Sequence, residues 1–300
     1  MSQVQISEFI NYLLHEKRYS TKTAQAYQND LEQFSLFVKS VYQIDNLQNS
    51  AHTQIRAWLA DLSSNKNSPK TINRKISSLK AFYKFLQKNE VIIQSPMAKI
   101  TSPKIGKPLP VFVNEKSMAK LFEHCDNELP NDFNQLTDYL ILEILYQTGM
   151  RRAELMNLKI ENFDAYNKTL KVLGKGNKER IIPIHPTLIE LIENYLIKRN
   201  QIENISHSNL LCLSNGKPLY EKYVYLAVKR NLKIVSTLSK NSPHVLRHTF
   251  ATNMLNRGAD LNAVKELLGH SSLASTQVYT HNTIEKLKDI YNNAHPKADE

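Results

Sequence analysis

Four prolines fall within residues 94–110, at Pro96, Pro103, Pro108 and Pro110, interleaved with Lys99, Lys104 and Lys107. Proline fixes φ, removes a backbone donor and stiffens the chain, so no regular element crosses this stretch intact. It divides the 300 residues into two pieces, each long enough to build its own core. The expected organisation is a first domain over 1–95, a Pro/Lys-rich linker over 96–110 and a second domain over 111–300. The linker lysines suit a strap lying along a phosphate backbone.

The first piece reads as helices. Ile6, Phe9, Ile10, Leu13 and Leu14 recur at helical spacing. Ser20 offers a cap for a second helix, whose apolar stripe is Ala24, Tyr27, Leu31, Phe34 and Val38. A shorter helix carries Ile55, Trp58, Leu59 and Leu62. Ser68-Pro69 is a cap-then-first-turn signature for a fourth. On a helical wheel, Lys70, Arg74, Lys80, Lys84 and Lys88 share about a third of the circumference. Ile72, Ile76, Leu79, Tyr83 and Leu86 lie opposite. No Asp or Glu occurs between Asp61 and Glu90. A solvated helix face usually mixes charges, because like charges at i, i+4 repel. A face of one sign points towards DNA, with an ordinary amphipathic face as the plainer alternative.

The whole chain shares this bias. Lys and Arg number 39 against 28 Asp and Glu, a net charge of +11. Such a surplus favours a polyanion, nucleic acid or an anionic membrane surface, although a basic soluble protein also fits. No apolar run is long enough to span a bilayer, and the N-terminus lacks the pattern of a signal peptide. Cys125 and Cys212 lie far apart with no C-x-x-C pairing, which fits a reducing cytosol. A cytoplasmic, nucleoid-associated protein with no membrane partner is expected.

The second piece opens with an apolar helix over 133–145, then Gly149 and a helix bearing Arg151 and Glu154. Residues 169–173 and 179–184 read as strands joined by the turn Gly174-Lys175-Gly176-Asn177-Lys178, a β-hairpin. A helix over 186–198, a short strand around Leu211 and further helices from Tyr220 complete it. The fold class is mainly α with two domains: an N-terminal helical bundle, then a mainly α domain with a small β-hairpin insert.

Ser242-Pro243 opens a helix whose first turns carry His244, Arg247 and His248 on one face. A His pair at i, i+4 has metal-ligand spacing, but Val245 stands where a zinc protease needs Glu, and Arg247 would repel a cation. An arginine between imidazoles near a helix N-terminus suits a phosphate. Leu268-Gly269-His270 ends a helix with a C-cap glycine, and Tyr279 follows nine residues later. A lone tyrosine is ordinarily a packing residue.

Taken in order, Thr148-Gly149-Met150-Arg151-Arg152-Ala153-Glu154-Leu155, the turn Gly174-Lys175-Gly176-Asn177-Lys178-Glu179-Arg180, His244-x-x-Arg247-His248, Leu268-Gly269-His270 and Tyr279 closely resemble the tyrosine recombinase (phage integrase) family. The Xer branch, which resolves chromosome dimers, is the nearest. The likeness extends to Arg18-Tyr19-Ser20, Tyr27 to Phe34 and Thr71-Ile72-Asn73-Arg74. It implies a SAM-like core-binding first domain and a catalytic second domain. It makes Tyr279 the nucleophile and Arg151 and Arg247 the ligands of the scissile phosphate. His244 and His270 assist with protons and hydrogen bonds, and Lys175 is the general acid for the departing 5′-hydroxyl.

His248 reads as structural, and Arg152 faces elsewhere on its helix. Neither cofactor nor metal is implied. The partners implied are double-stranded DNA with paired half-sites, a homo- or hetero-tetramer on that DNA, and a DNA-translocase activator. An integrase of a mobile element, a silent DNA-binding module and a metallohydrolase are the rival readings. Ile284, Leu287, Ile290 and Tyr291 form an apolar stripe on a last helix. That helix either folds back on its own domain or, as the resemblance implies, docks into a neighbouring subunit.

Overall fold

The computed structural model describes residues 2–106, 111–127, 132–174, 178–235, 241–269 and 281–299. The chain divides into two compact units, Met1–Pro108 and Leu109–Glu300.

The first unit holds α1 (Ser2–Asn11), α2 (Thr21–Tyr42), α3 (His52–Ser64) and α4 (Pro69–Lys88). Two of the starts are those the sequence announces. The Ser20 hydroxyl accepts from the Thr23 N–H and the Ser68 hydroxyl from the Thr71 N–H, both at 3.2 Å, satisfying donors that lack an intrahelical partner. Ile6, Phe9, Leu31, Phe34, Val38, Ile55, Trp58, Ile76, Leu79, Phe82 and Tyr83 form the core. One charge cluster is sealed beside it. Asp30, 1% exposed, takes hydrogen bonds from Lys75 (3.1 Å), Ser78 (2.7 Å) and Arg74. The Lys75 ammonium also lies over the Trp58 ring. A buried carboxylate persists only when its acceptors are filled in this way.

The proline-rich stretch is partly structured. Pro96–Lys99 forms a 3-10 turn that buries Met97 and Ile100 in the first core. Arg56 donates to the Lys99 carbonyl and Asn73 to the Pro103 carbonyl.

The second unit is built on α5 (Glu115–Asn127) and α6 (Phe133–Thr148), with α6 buried along its whole second half. The short α7 (Arg152–Met156) follows. Then comes a three-stranded antiparallel sheet of β1 (Phe163–Asp164), β2 (Thr169–Leu173) and β3 (Glu179–Pro183) in the order β1-β2-β3. The hairpin register pairs Thr169 with Pro183 and Leu173 with Glu179. Helices α8 (Pro186–Arg199), α9 (Glu221–Val235), α10 (Pro243–Asn256), α11 (Leu261–Leu268) and α12 (His281–Ala294) complete it. The strand expected around Leu211 is reduced to isolated bridges, Lys159 to Asn209 and Cys212 to Pro218. Ser242 holds the N-cap position of α10 without a side-chain cap bond.

The last helix is seated on its own unit, the first of the two arrangements the sequence allows. Leu287, Tyr291, Ala294 and His295 are buried among the second core. The Tyr291 and His295 rings stack at 4.7 Å, and Lys297 forms an ion pair with Glu143 of α6 at 3.0 Å. Glu143 is 3% exposed, and a charge buried that deeply requires a partner.

His295 is 1% exposed, and burial pushes its imidazole down to about 3, with Lys297, Arg257 and His185 also opposing protonation. The unfolded chain takes up that proton near the ordinary value of about 6.5. The native state therefore keeps its full stability above about pH 6.5 and loses it progressively as pH falls towards 3, by about 2 kcal/mol at about pH 5. Urea unfolding of the wild type and of His295→Phe, which keeps an aromatic ring against Tyr291 but does not titrate, should show the gap between them change by that amount. Equal acid sensitivity in both proteins would exclude His295 as the cause.

Candidate active site

The site is assembled around two glycine-terminated helix ends. Gly149 closes α6 at φ +58°, and a Cβ there would lie 2.6 Å from Phe250 Cδ1, so no larger residue fits. The chain then leaves extended through Arg151, the N-cap of α7. Gly269 closes α11 at φ +65°, as expected of a C-cap glycine.

Between these ends lie three arginines. The last carbonyls of α11 have no intrahelical donor and mark the negative end of its dipole. Each of three successive carbonyls receives a different guanidinium: Leu267 from Arg180 Nε (2.8 Å), Leu268 from Arg247 Nη2 (2.7 Å) and Gly269 from Arg151 Nη2 (3.5 Å). Arg247 Nη1 also donates to the Gly149 carbonyl at 2.7 Å, joining both helix ends. A single carboxylate lies beneath. Glu154 takes Arg151 Nη1 at 2.8 Å, the Arg151 backbone N–H at 2.8 Å and Arg180 Nη2 at 2.7 Å.

The electrostatics follow from this imbalance of charge. Burial would raise the Glu154 carboxyl, but the bonds and charges of Arg180 and Arg151 outweigh it and hold the group below its usual value. Arg247 is pushed down to about 10 by burial and then by Arg151 and Arg180, with Glu154 opposing. It remains cationic at neutral pH. His244, on the first turn of α10 with an accessible edge, is held below its ordinary value by desolvation and by Arg152, His248, Arg247 and Arg151. A cluster of cations beside an uncharged imidazole is suited to binding an anion and exchanging a proton next to it.

Arg151, His244 and Arg247 are thus gathered into one neighbourhood. His248 is exposed, and Arg152, whose charge also reaches His244, pairs with Glu221 of α9 at 2.7 Å. Lys175, His270 and Tyr279 lie outside the described residues. Their neighbours in sequence carry some information. A Cβ on Gly174, the residue before Lys175, would stand 3.6 Å from Glu154 Oε1, and His270 follows Gly269 directly. Glu154 and Arg180 belong to the sequence motifs, but sequence reasoning alone assigns them no role. A signal is present for Arg180, which occupies an inward position of β3 beside Ile182. A charge on the buried face of a strand requires a partner.

On the first unit, Lys70, Lys80 and Lys84 are exposed on α4 with no ion pair among the described residues. Arg74 and Lys88 share that stripe but are engaged, Arg74 with Asp30 and Lys88 with Glu16 at 3.4 Å and over the Tyr12 ring.

The profile of the phage integrase family matches residues 112–286, and that of the phage integrase N-terminal SAM-like domain matches residues 6–90. The chain belongs to the phage integrase family. It is 39% identical to the tyrosine recombinase XerC of Staphylococcus carnosus over 99% of both chains. With the XerC of Staphylococcus haemolyticus it shares 38% identity over 99% of this chain and 98% of that one. Among solved structures, the XerH site-specific recombinase bound to its difH substrate superposes with a TM-score of 0.72 at 25% identity, covering 95% of this chain and 94% of that one. A lambda integrase dimer bound to a core site shares the fold, with a TM-score of 0.67 at 18% identity over 92% and 99% of the two chains. This family member is a site-specific tyrosine recombinase of the Xer type, an enzyme that cleaves and rejoins DNA through a phosphotyrosine intermediate.

Proposed function

We propose that the convergence of Arg151 and Arg247 at the end of α11 is the seat of the scissile phosphate, and that the six residues Arg151, Lys175, His244, Arg247, His270 and Tyr279 carry out strand exchange. The observation that carries this reading is the pair of guanidiniums bonded to adjacent carbonyls, Leu268 and Gly269, close enough for Arg151 to disfavour the proton on Arg247. Two cations held together against their own repulsion suit a ligand whose negative charge grows in the transition state.

The Tyr279 phenol oxygen attacks phosphorus and forms a 3′-phosphotyrosine. The bond to the 5′-oxygen breaks, and Lys175 supplies the proton that makes the leaving group a hydroxyl. A phenol is a poor nucleophile at neutral pH, and the nearby arginines favour its phenolate. His244, largely neutral, and His270 donate hydrogen bonds to the phosphoryl group. Attack by an incoming 5′-hydroxyl reverses these steps, and the phosphotyrosine retains the energy of the broken bond, so religation consumes no ATP.

The substrate is a pair of duplex sites, each made of two half-sites and filled by a tetramer of recombinases in the cytoplasm, with dimer resolution of chromosomes or plasmids as the outcome. The organisation proposed is a core-binding domain over 1–95, a linker over 96–110 and a catalytic domain over 111–300. A nicked half-site duplex that traps the cleaved state tests the site. The purified protein should form a denaturant-resistant adduct in the presence of a chelator and without ATP, and peptide mapping should place the DNA on Tyr279. An adduct on any other residue overturns the assignment.

DNA binding by the first domain is proposed for the basic stripe of α4, with Lys70, Lys80 and Lys84 as the principal phosphate partners and Arg74 and Lys88 contributing less. Each lysine–phosphate pair removed should lower the log–log salt slope of binding by about 0.9. Changing Lys70, Lys80 and Lys84 together to Gln should therefore flatten the slope measured by fluorescence anisotropy, whereas Lys88→Gln alone should alter it little. An unchanged slope in the triple variant would mean that this face is merely solvated.

A further inference from the structure

We propose that Arg180 is a positioning residue for strand cleavage: it braces the Glu154 carboxylate that aims Arg151, and it ties the hairpin to the end of α11. The proposal rests on the reading of Arg151 and Arg247 as phosphate ligands.

Arg180 is 4% exposed, on the inward face of β3, so it does not itself reach a bound duplex. Packing alone does not call for it, since well-packed apolar residues replace a buried ion pair at little or no loss of stability. Its bonds reach elsewhere. Nε holds Leu267 O and Nη2 holds Glu154 Oε2, so one planar fork spans β3, α7 and α11. Glu154 in turn bonds Arg151 at both its backbone and its guanidinium. The Arg151 side chain is 34% exposed, and an unbraced arginine of that exposure samples many rotamers.

The two glycines that precede Lys175 and His270 also abut the Arg180 guanidinium. A Cβ on Gly174 would come within 3.4 Å of Nη1, and one on Gly269 within 3.2 Å of Cδ and Nη1. Arg180 is therefore the common floor beneath the residues that lead into two proposed catalytic positions, as well as the brace behind a third.

The charged groups facing Glu154 are Arg151 from its own turn, Arg180 from β3 and Arg247 from α10. Without Arg180 the carboxylate loses its strongest partner. It then takes up a proton at higher pH than before and releases Arg151 as the solution is acidified. This gives a signature that a purely structural role lacks. Single-turnover cleavage of a nicked half-site by the full chain should be measured for wild type, Arg180→Gln, Arg180→Lys and, as a separate control, Arg247→Gln.

The Gln variant is expected to be slower than wild type by about tenfold near about pH 8, with the deficit widening as the pH is lowered towards the carboxylate range and half-site binding retained. The Lys variant keeps the charge but loses the fork, and should show a smaller deficit with the same pH trend. If the Gln variant fails to fold, the Lys variant decides the matter by the same criterion. A deficit that is constant with pH, or wild-type rates throughout, overturns the proposal. Wild-type cleavage by Arg247→Gln would instead show that the phosphate seat itself is misassigned.

Discussion

Replacing Tyr279 by phenylalanine is expected to abolish covalent capture of DNA while leaving the protein folded and bound to its site. The change removes one oxygen, the atom proposed to attack phosphorus. Loss of a nucleophile ordinarily costs at least about four orders of magnitude in rate, since no neighbouring group takes its place. Adduct formation on a nicked duplex should therefore fall below detection while gel-shift affinity stays within about twofold, as expected if Arg151 and Arg247 still hold the phosphate. A Phe variant that still formed a denaturant-resistant adduct would remove Tyr279 from the mechanism. A variant that lost binding as well would make it a structural residue.

Deleting residues 284–300 is expected to unfold much of the second unit, not merely to weaken association between subunits. The tail supplies Leu287, Tyr291 and Ala294 to the core and the Lys297 ammonium to Glu143. Truncating one large buried side chain costs about 2–5 kcal/mol. Leaving a buried carboxylate unpaired costs about 3–5 kcal/mol more. The combined loss is comparable with the whole stability of an ordinary domain. Thermal or urea unfolding of the truncated chain should show this directly, with a gentler loss for Lys297→Met alone. A shift of less than about 1 kcal/mol on truncation would mean that the seat is only lightly held and the tail is available to another subunit. The proposed tetramer does not conflict with a tail seated on its own unit, but any exchange between subunits must first break the Lys297–Glu143 pair and expose the stacked Tyr291 and His295 rings.

Several elements were legible because their causes are local. The α4 stripe separates the lysines from Ile72, Ile76 and Leu79 by helical period alone, and the structure buries those three. Ser20, Ser68 and Gly269 mark helix ends because caps are decided within one turn. The hairpin strands follow from the turn between them. Other elements were not legible. The segment around Leu211 looks like a strand by composition but has only isolated bridge partners, and pairing is a property of two segments. Lys75 falls within a helix read by its apolar and basic faces, yet it is buried against Asp30, 45 residues earlier. The chemistry of Tyr279, His244 and Arg247 was recognised through the order of motifs across the chain, since each motif alone is weak.

Read along the chain alone, the residues give the helical character of both units, the position of the hairpin, the basic face of α4, the family and the residue types available for phosphoryl transfer. These depend on periodicity, capping chemistry and ordered motifs, all written along the chain. Three facts emerge only from the folded chain: three arginines meet three successive carbonyls at the C-terminal end of α11, Glu154 is shared between Arg151 and Arg180, and the last helix sits on its own unit. Each of these joins residues far apart in sequence: Arg180 to Leu267 across 87 positions, Arg151 to Gly269 across 118, and the tail Lys297 to Glu143 of α6. A buried charge must find a partner, but which partner it finds depends on the packing that brings distant elements together.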